Sequence, residues 1–205
     1  MKIIGLTGRS GCGKSSVMGY LSQKGYPFSD ADEIAREVLL PGSPCLPALQ
    51  NCFGSDIVDG SGTLQRRLLG DRAFATKDGT EALTAITFPE IVRRVRLAAM
   101  AARDAGAALF FVDGAVIIGT PFERECDVII AVVSPYEESV RRICARDGIT
   151  QAMARRRLDA QMAESTICAA AAYTIHNDGT FAQLIEQTQM VLTALLKEDY
   201  GRKQP

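Results

Sequence analysis

The sequence predicts an α/β fold in which helices cover both faces of a five-stranded parallel sheet. Three observations support it: β-rich apolar runs, helical spacing of apolar residues between most of them, and a glycine-rich segment after the first run. Strands that alternate with helices are typical of parallel sheets. The expected strands are Lys2–Thr7, Tyr26–Ser29, Ala108–Asp113, Asp127–Ser134 and Tyr173–His176. With 205 residues, 47% of them hydrophobic, the chain suits one compact unit with at most an inserted subdomain.

The glycine-rich segment after the first strand is GRSGCGKS, Gly8–Ser15, which fits the phosphate-loop pattern G-x-x-x-x-G-K-[ST]. Its glycines let backbone N–H groups turn toward an anion, and a helix that starts near Lys14 adds the positive end of its dipole. Lys14 suits the β and γ phosphates of ATP, and the Ser15 hydroxyl suits Mg²⁺. The expected ATP-binding residues of this segment are Gly8, Gly11, Cys12, Gly13, Lys14, Ser15 and Ser16.

Cys12 lies inside this loop and has two interpretations. It is either a small filler or a thiol whose thiolate is favoured by neighbouring amides. The filler is the favoured interpretation.

The second strand leads into SDADEIAREV. Acidic residues at the carboxyl end of a parallel strand lie where ligands bind in doubly wound sheets. Asp32 is therefore a candidate general base, and Asp30 a candidate support for it or for hydrated Mg²⁺. Alternatively, both cap a helix that begins at Glu33. Position alone does not decide between these roles.

Later segments carry their own helix signals. Ser134 is the expected N-cap of a helix with Pro135 at the first helical position and Glu137 closing a capping box, and Gly148 marks its end. A C-terminal helix is predicted from one apolar stripe, made of Phe181, Leu184, Ile185, Thr188, Val191, Leu192, Leu195 and Leu196.

Composition excludes several classes of protein. The 23 basic and 24 acidic residues nearly cancel, which argues against nucleic-acid or membrane partners. The longest apolar stretch, 105–122, is interrupted by Asp113 and three glycines, so no membrane span is expected. Six cysteines without a C-x-x-C pair, and a single histidine, predict reduced thiols in the cytoplasm and no cysteine-based metal site. No N-K-x-D motif accompanies the phosphate loop, so a GTPase switch is not expected.

Several segments together resemble the dephospho-CoA kinase family: IIGLTGxxGxGKSS, SDADEIAREVLLPGSP, GTLQRRLL, RRICARDGIT, RRLDAQM and IHNDGT. The resemblance implies transfer of phosphate from ATP to the ribose 3′-hydroxyl of dephospho-CoA, with Mg²⁺. It also implies a P-loop kinase fold of three α/β/α layers, with a helical acceptor-binding insertion and a lid. The corresponding division is a core of 1–40, 105–140 and 166–205, an insertion of about 41–104 and a lid of about 141–165. ATP and dephospho-CoA are the expected partners of a monomeric enzyme.

The resemblance also implies roles for single residues. Asp32 matches the family's catalytic aspartate, which accepts the hydroxyl proton, and Asp113 a water-mediated contact to Mg²⁺. Arginine suits phosphate because its planar fork binds two oxygens. The family's arginine positions fall on Arg142 as a catalytic residue, Arg146 for ATP, and Arg66 and Arg157 for the acceptor. The remaining arginines Arg93, Arg94 and Arg96 are expected to be solvated surface charges.

Several positions depart from the family pattern. Phe88 replaces a usual histidine, Gly114 and Ala115 alter the turn after the third strand, Ile167 replaces a usual basic residue, and Ala172 replaces an aspartate. Three functions therefore stay open: a divergent dephospho-CoA kinase, a kinase for a nucleoside or nucleoside monophosphate, and a nucleotide-sensing protein without transfer activity.

Overall fold

The computed structural model describes residues 1–114 and 117–200, with the side chains of 198–200 left aside. Ala115, one of the departures from the family pattern, and residues 201–205 of the expected core lie outside the described residues. The chain divides into two compact units. The first contains Met1–Phe28 and the chain from Ala101 onward, and the second is Ser29–Met100.

A five-stranded sheet has the order β2-β3-β1-β4-β5. The strands are β1 (Lys2–Thr7), β2 (Phe28–Asp30), β3 (Leu109–Asp113), β4 (Val128–Val133) and β5 (Tyr173–His176). β1 pairs in parallel with β3 and β4, and β4 pairs in parallel with β5. The predicted α/β fold is confirmed.

The second strand begins at Phe28, two residues later than predicted. Pro27 precedes it, and proline has no N–H to donate to a neighbouring strand. Its carbonyl still accepts the Phe111 N–H at 3.0 Å.

The helices in chain order are α1 (Lys14–Gln23), α2 (Ala31–Glu37), α3 (Cys45–Phe53), α4 (Arg66–Ala73), α5 (Lys77–Asp104), α6 (Tyr136–Asp147), α7 (Gln151–Asp159), α8 (Glu164–Ala170) and α9 (Phe181–Tyr200). Short 3-10 turns occupy Ser55–Ile57 and Pro121–Glu125. In the described residues, no helix is both long and apolar enough to cross a membrane.

The main core of the first unit lies between one face of the sheet and helices α1 and α9. Its fully buried members include Ile4 and Leu6 of β1, Leu21 of α1 and Leu195 of α9. Phe181 is an exception in the predicted stripe of the last helix, because its side chain is 65% exposed. Burying the rest of the stripe stabilises the sheet edge that carries β5.

The second unit has a separate apolar core. Residues from α3, α4 and the Ser55–Ile57 turn pack together, with Val38, Leu49, Ile57 and Ala73 fully buried. An isolated antiparallel bridge from Val58 to Leu64 closes the loop between them. This unit contains most of the predicted helical insertion, although the division into core, acceptor domain and lid stays a prediction.

Candidate active site

The segment between β1 and α1 has the backbone conformation that its glycines allow. Gly11 and Gly13 adopt positive φ angles of 77° and 96°, the left-handed region that disfavours other residues. A side chain at Gly13 would meet the amide nitrogen of Asn177. That amide donates to the Cys12 carbonyl at 2.8 Å, so Asn177, the residue after β5, fixes the conformation of the loop. The predicted helix start at Lys14 is confirmed.

Lys14 and Asp113 form an ion pair in the first unit. Register explains the meeting: Leu6 of β1 lies opposite Asp113 at the end of β3, so both strands end at the same edge as the loop. Each side chain is only 16% exposed, which weakens screening by solvent. The carboxylate expected near Mg²⁺ is thus bonded to the lysine expected at the phosphates.

Arg142 reaches the loop from α6. Its Nη1 donates to the Gly11 carbonyl at 3.3 Å and to Ser134 Oγ at 3.1 Å. Ser134 Oγ in turn donates to the Asn177 carbonyl at 2.9 Å. The prediction that Ser134 caps α6 is wrong: the helix begins at Tyr136, after Pro135. Arg142 of the same helix and the distant Asn177 engage the hydroxyl that a local cap would use.

Contacts from α6, from α7 and from the residue Gln161 after α7 hold the tip of the loop. Gln161 Oε1 accepts the Ser10 N–H at 2.9 Å, and Gln161 Nε2 donates to Ser10 Oγ at 2.8 Å. Arg9 donates to the Leu158 carbonyl and stacks its guanidinium 5.8 Å from the centre of the Tyr136 ring. Sequence reasoning missed these contacts, although Gln161 lies inside the quoted RRLDAQM segment.

A hollow of about 300 Å³ adjoins the first glycine of the loop. Ile118, Met162 and Ile167 form its apolar wall, and Gln161 lies on its polar side. Ile167 is 5% exposed, so it packs into the wall where the family pattern has a basic residue.

Ala172, another departure from the family pattern, donates its N–H to the Ile129 carbonyl just before β5.

Arg146 and Arg157 meet on one carboxylate, that of Asp147. Arg146 donates from Nε at 2.7 Å and from Nη2 at 3.0 Å, while Arg157 donates through Nη1. The hydrogen bonds from Arg146, together with the one from Arg157, lower the pKa of Asp147 to about 2. Two of the predicted ligand-binding arginines are therefore brought together, and Arg142 is engaged at the loop instead. Gly148 ends α6 with a φ of 65°, as predicted.

Cys12 is 3% exposed, and burial raises the pKa of its thiol. A hydrogen bond from the Lys14 backbone and the Lys14 charge act in the opposite direction, with smaller effect. The structure therefore favours the filler interpretation over a reactive thiolate.

In the second unit, α2 begins at Ala31, two residues before the predicted start. Asp30 is its N-cap, because Asp30 Oδ1 accepts the Glu33 N–H at 2.8 Å. Asp32 lies half-buried in the first turn of the helix. The two aspartates thus have different roles: Asp30 caps, and Asp32 remains the candidate base.

The other predicted residues of this unit lie on α4 and α5. Arg66, the first residue of α4, donates from Nη2 to the Arg36 carbonyl at 3.0 Å, so it engages α2. Phe88 lies half-buried within α5. A contact of Arg66 with the acceptor substrate stays a prediction.

Residues 2–183 match the model of a protein family described as dephospho-CoA kinase. The chain belongs to the dephospho-CoA kinase family. A dephospho-CoA kinase of Corynebacterium glutamicum is 35% identical over 193 residues, covering 94% of this chain and 96% of that protein. One of Geobacter metallireducens is 37% identical over 200 residues, covering 97% of this chain and 96% of that protein.

Three solved structures have a similar fold. The protein TT1252 from Thermus thermophilus has a TM-score of 0.77 and 31% identity, covering 96% of this chain and 97% of that chain. A dephospho-CoA kinase from Campylobacter jejuni has a TM-score of 0.70 at 23% identity, with 96% and 98% covered. A shikimate kinase from Acinetobacter baumannii, with a TM-score of 0.53 and 19% identity over 97% and 94% of the two chains, shares the fold.

Proposed function

We propose that this member of the dephospho-CoA kinase family transfers the γ-phosphoryl group of ATP to the ribose 3′-hydroxyl of dephospho-CoA, giving CoA and ADP. One observation carries the proposal. The family match extends over residues 2–183, and in that range the phosphate loop has the backbone conformation and the lysine that phosphoryl transfer needs. The kinase for a nucleoside or nucleoside monophosphate has no observation in its favour.

The loop from Gly8 to Ser16 would hold the triphosphate of ATP. Its N–H groups and the N-terminus of α1 favour negative charge, and Lys14 adds a full positive charge. Lys14 then exchanges Asp113 for phosphate oxygens. This exchange keeps a half-buried ammonium group paired in both states, which limits its desolvation cost.

Mg²⁺ fits the donors around this loop. Among the side chains that the structure describes, no cluster of three His, Cys, Asp or Glu could hold a metal alone. Mg²⁺ commonly keeps several waters and binds through substrate phosphates with one or two protein oxygens. The Ser15 hydroxyl and, through water, the Asp113 carboxylate are the oxygens that would complete its shell. When bound, Mg²⁺ would neutralise charge on the β and γ phosphates.

Asp32 would accept the proton of the attacking hydroxyl. The ribose 3′-oxygen bonds to the γ-phosphorus, the bond from that phosphorus to the β–γ bridging oxygen breaks, and ADP leaves with the electron pair. The hydroxyl proton passes to a carboxylate oxygen of Asp32. The support for this role is the family position together with the observation that Asp30, and not Asp32, provides the N-cap of α2.

The arginines would balance the charge that spreads over the transferred group. Arg146 uses its Nε and Nη2 on Asp147, which leaves Nη1 for a phosphate oxygen. Arg157 uses Nη1 on the same carboxylate and keeps Nη2 for a ligand. Asp147 thereby orients both guanidinium groups without covering either completely. Arg142 would contribute from its place at the loop, and Arg66 would meet the acceptor.

The direct test is ADP release from Mg·ATP with and without dephospho-CoA, followed by mass detection of the product. An acceptor-dependent rate and a product heavier by one phosphoryl group support the proposal. Tight ATP binding without acceptor-dependent ADP release would contradict it and leave a nucleotide-sensing protein. In the same assay, Asp32→Asn should lower turnover by about 10²–10⁴-fold with little change in ATP affinity, and near-normal turnover would refute Asp32 as the base.

We propose a cytoplasmic location, which is supported by the six free thiols in the described part of the chain. A monomeric state stays a prediction that sedimentation would test.

A further inference from the structure

The helix that carries Asp32 has little apolar attachment of its own. α2 is seven residues long, and none of its side chains is fully buried. Ile34 packs partly buried against the core of the second unit, and Val38, just after the helix, is completely buried. Such a short helix is marginal without tertiary support, so polar contacts decide how firmly it is held.

Two arginines supply these contacts at the C-terminal end of α2. Arg94 Nη1 of α5 bonds Glu37 Oε2 at 3.1 Å. Arg66 of α4 donates to the Arg36 carbonyl at 3.0 Å. Cationic groups at a helix C-terminus also interact favourably with the helix dipole.

Arg94 is itself fixed by a buried carboxylate. Its Nε donates to Glu90 Oε1 at 2.9 Å, and Glu90 is only 9% exposed. Arg93 donates to both oxygens of Glu90, at 2.6 and 2.8 Å. The hydrogen bonds from Arg93 and Arg94 lower the pKa of Glu90 to about 2, so the carboxylate stays charged.

The expectation that the arginines of this segment are solvated surface charges is therefore wrong for Arg94. Its side chain is 31% exposed and spans two carboxylates, because α2 and α5 meet within the second unit. Arg93 is 58% exposed and bonds Glu90. Arg96 is exposed.

We infer that Arg94, oriented by Glu90, is a positioning residue that holds Asp32 in place through Glu37 and α2. The inference rests on the proposed role of Asp32 as the base. A seven-residue helix is about 10 Å long, so a looser C-terminal end shifts its first turn even though Val38 and the Arg66 contact remain. A displacement of about 1 Å at a reacting group can cost about 100-fold in rate.

The experiment compares Arg94→Gln and Glu37→Gln with Arg93→Gln in the dephospho-CoA-dependent ADP release assay. Arg93 is the matched control, because it lies on the same helix and bonds the same Glu90 but has its hydrogen bonds there and not on Glu37. We expect kcat to fall about 10- to 100-fold for Arg94→Gln and Glu37→Gln. The KM for ATP should stay within about twofold, and Arg93→Gln should resemble the wild type.

A double variant tests whether the two residues act through one contact. Glu37→Gln together with Arg94→Gln should lose no more kcat than Arg94→Gln alone, since each change already breaks the same bond. Additive losses, an equal loss in Arg93→Gln, or unchanged kcat in Arg94→Gln would overturn the inference. Glu37 is 45% exposed, so its variant should fold, and thermal unfolding of each variant checks this.

Failure of this inference is distinguishable from failure of the proposed function. A wild-type protein without acceptor-dependent ADP release would overturn both. A normal Asp32→Asn variant would remove the base that Arg94 is inferred to position. A strongly lowered kcat in Asp32→Asn together with a wild-type kcat in Arg94→Gln would overturn the positioning role alone.

Discussion

The ammonium group of Lys14 and the carboxylate of Asp113 are ion-paired at the carboxyl ends of neighbouring strands β1 and β3. The lysine of the phosphate loop thus has a protein partner before any phosphate arrives. In the proposed function, ATP would displace this carboxylate from Lys14, and Asp113 would then be available to Mg²⁺ through water.

Removing that carboxylate should therefore strengthen ATP binding when Mg²⁺ is absent. In Asp113→Asn, Lys14 gives up no charged partner and the triphosphate meets one negative charge fewer. We expect the Kd for ATP in EDTA to fall about 3- to 10-fold, the size of a partly buried charge contact. Isothermal titration calorimetry measures it, with Asp104→Asn, an exposed carboxylate in α5, as the charge control. If Asp113→Asn binds ATP equally well or more weakly, the exchange of Asp113 for phosphate at Lys14 is contradicted.

A side chain at Gly13 should destabilise the protein more than one at Gly25. Both glycines have positive φ, 96° and 80°, so an alanine at either costs about 1–2 kcal/mol of backbone strain. At Gly25 the added carbon meets nothing within 4 Å, whereas at Gly13 it collides with the Asn177 amide. Urea unfolding of Gly13→Ala and Gly25→Ala measures the difference, and ATP binding should be lost only in the first. Equal losses of stability would show that the Asn177 contact relaxes freely.

Cys12 should resist alkylation in the folded protein. Its sulfur is buried and its pKa is raised, whereas Cys52 is exposed. With iodoacetamide at pH 8, peptide mass spectrometry should find Cys52 modified first and Cys12 only after denaturation. Rapid labelling of Cys12 that ATP slows would instead restore the reactive-thiol interpretation.

Glu90 should make the free energy of unfolding depend on pH. The pKa of Glu90 falls from 4.5 in the unfolded chain to about 2 in the folded protein. Its contribution to the free energy of unfolding is therefore complete above pH 4.5 and is lost as the pH falls toward 2. The gap in unfolding free energy between the wild type and Glu90→Gln should be large at pH 7 and shrink below pH 4.5. Urea unfolding across this range measures it. Glu81→Gln, a 65% exposed carboxylate on the same helix, is the control, and a gap that stays constant for Glu90→Gln would contradict the ion cluster.

Local signals predicted the fold well and individual partners poorly. The strands at Lys2–Thr7 and Tyr173–His176 have their predicted bounds, because runs of apolar and β-branched residues already specify a buried strand. Ser134 has every local feature of a helix cap, yet Arg142 and Asn177 engage its hydroxyl. Arg94 has the spacing of a surface charge, yet it bridges α5 to α2.

The sequence by itself determined the phosphate loop and the alternation of five strands with helices, and it indicated the family. These depend on glycine conformations, apolar periodicity and motif spacing, which act over a few residues and need no distant partner. Only the tertiary structure decided which charged groups meet: Lys14 with Asp113 across 99 positions, Arg142 with Gly11 across 131, and Arg94 with Glu37 across 57. Long charged side chains take partners by proximity in space, and that proximity arises when the sheet and the helices pack.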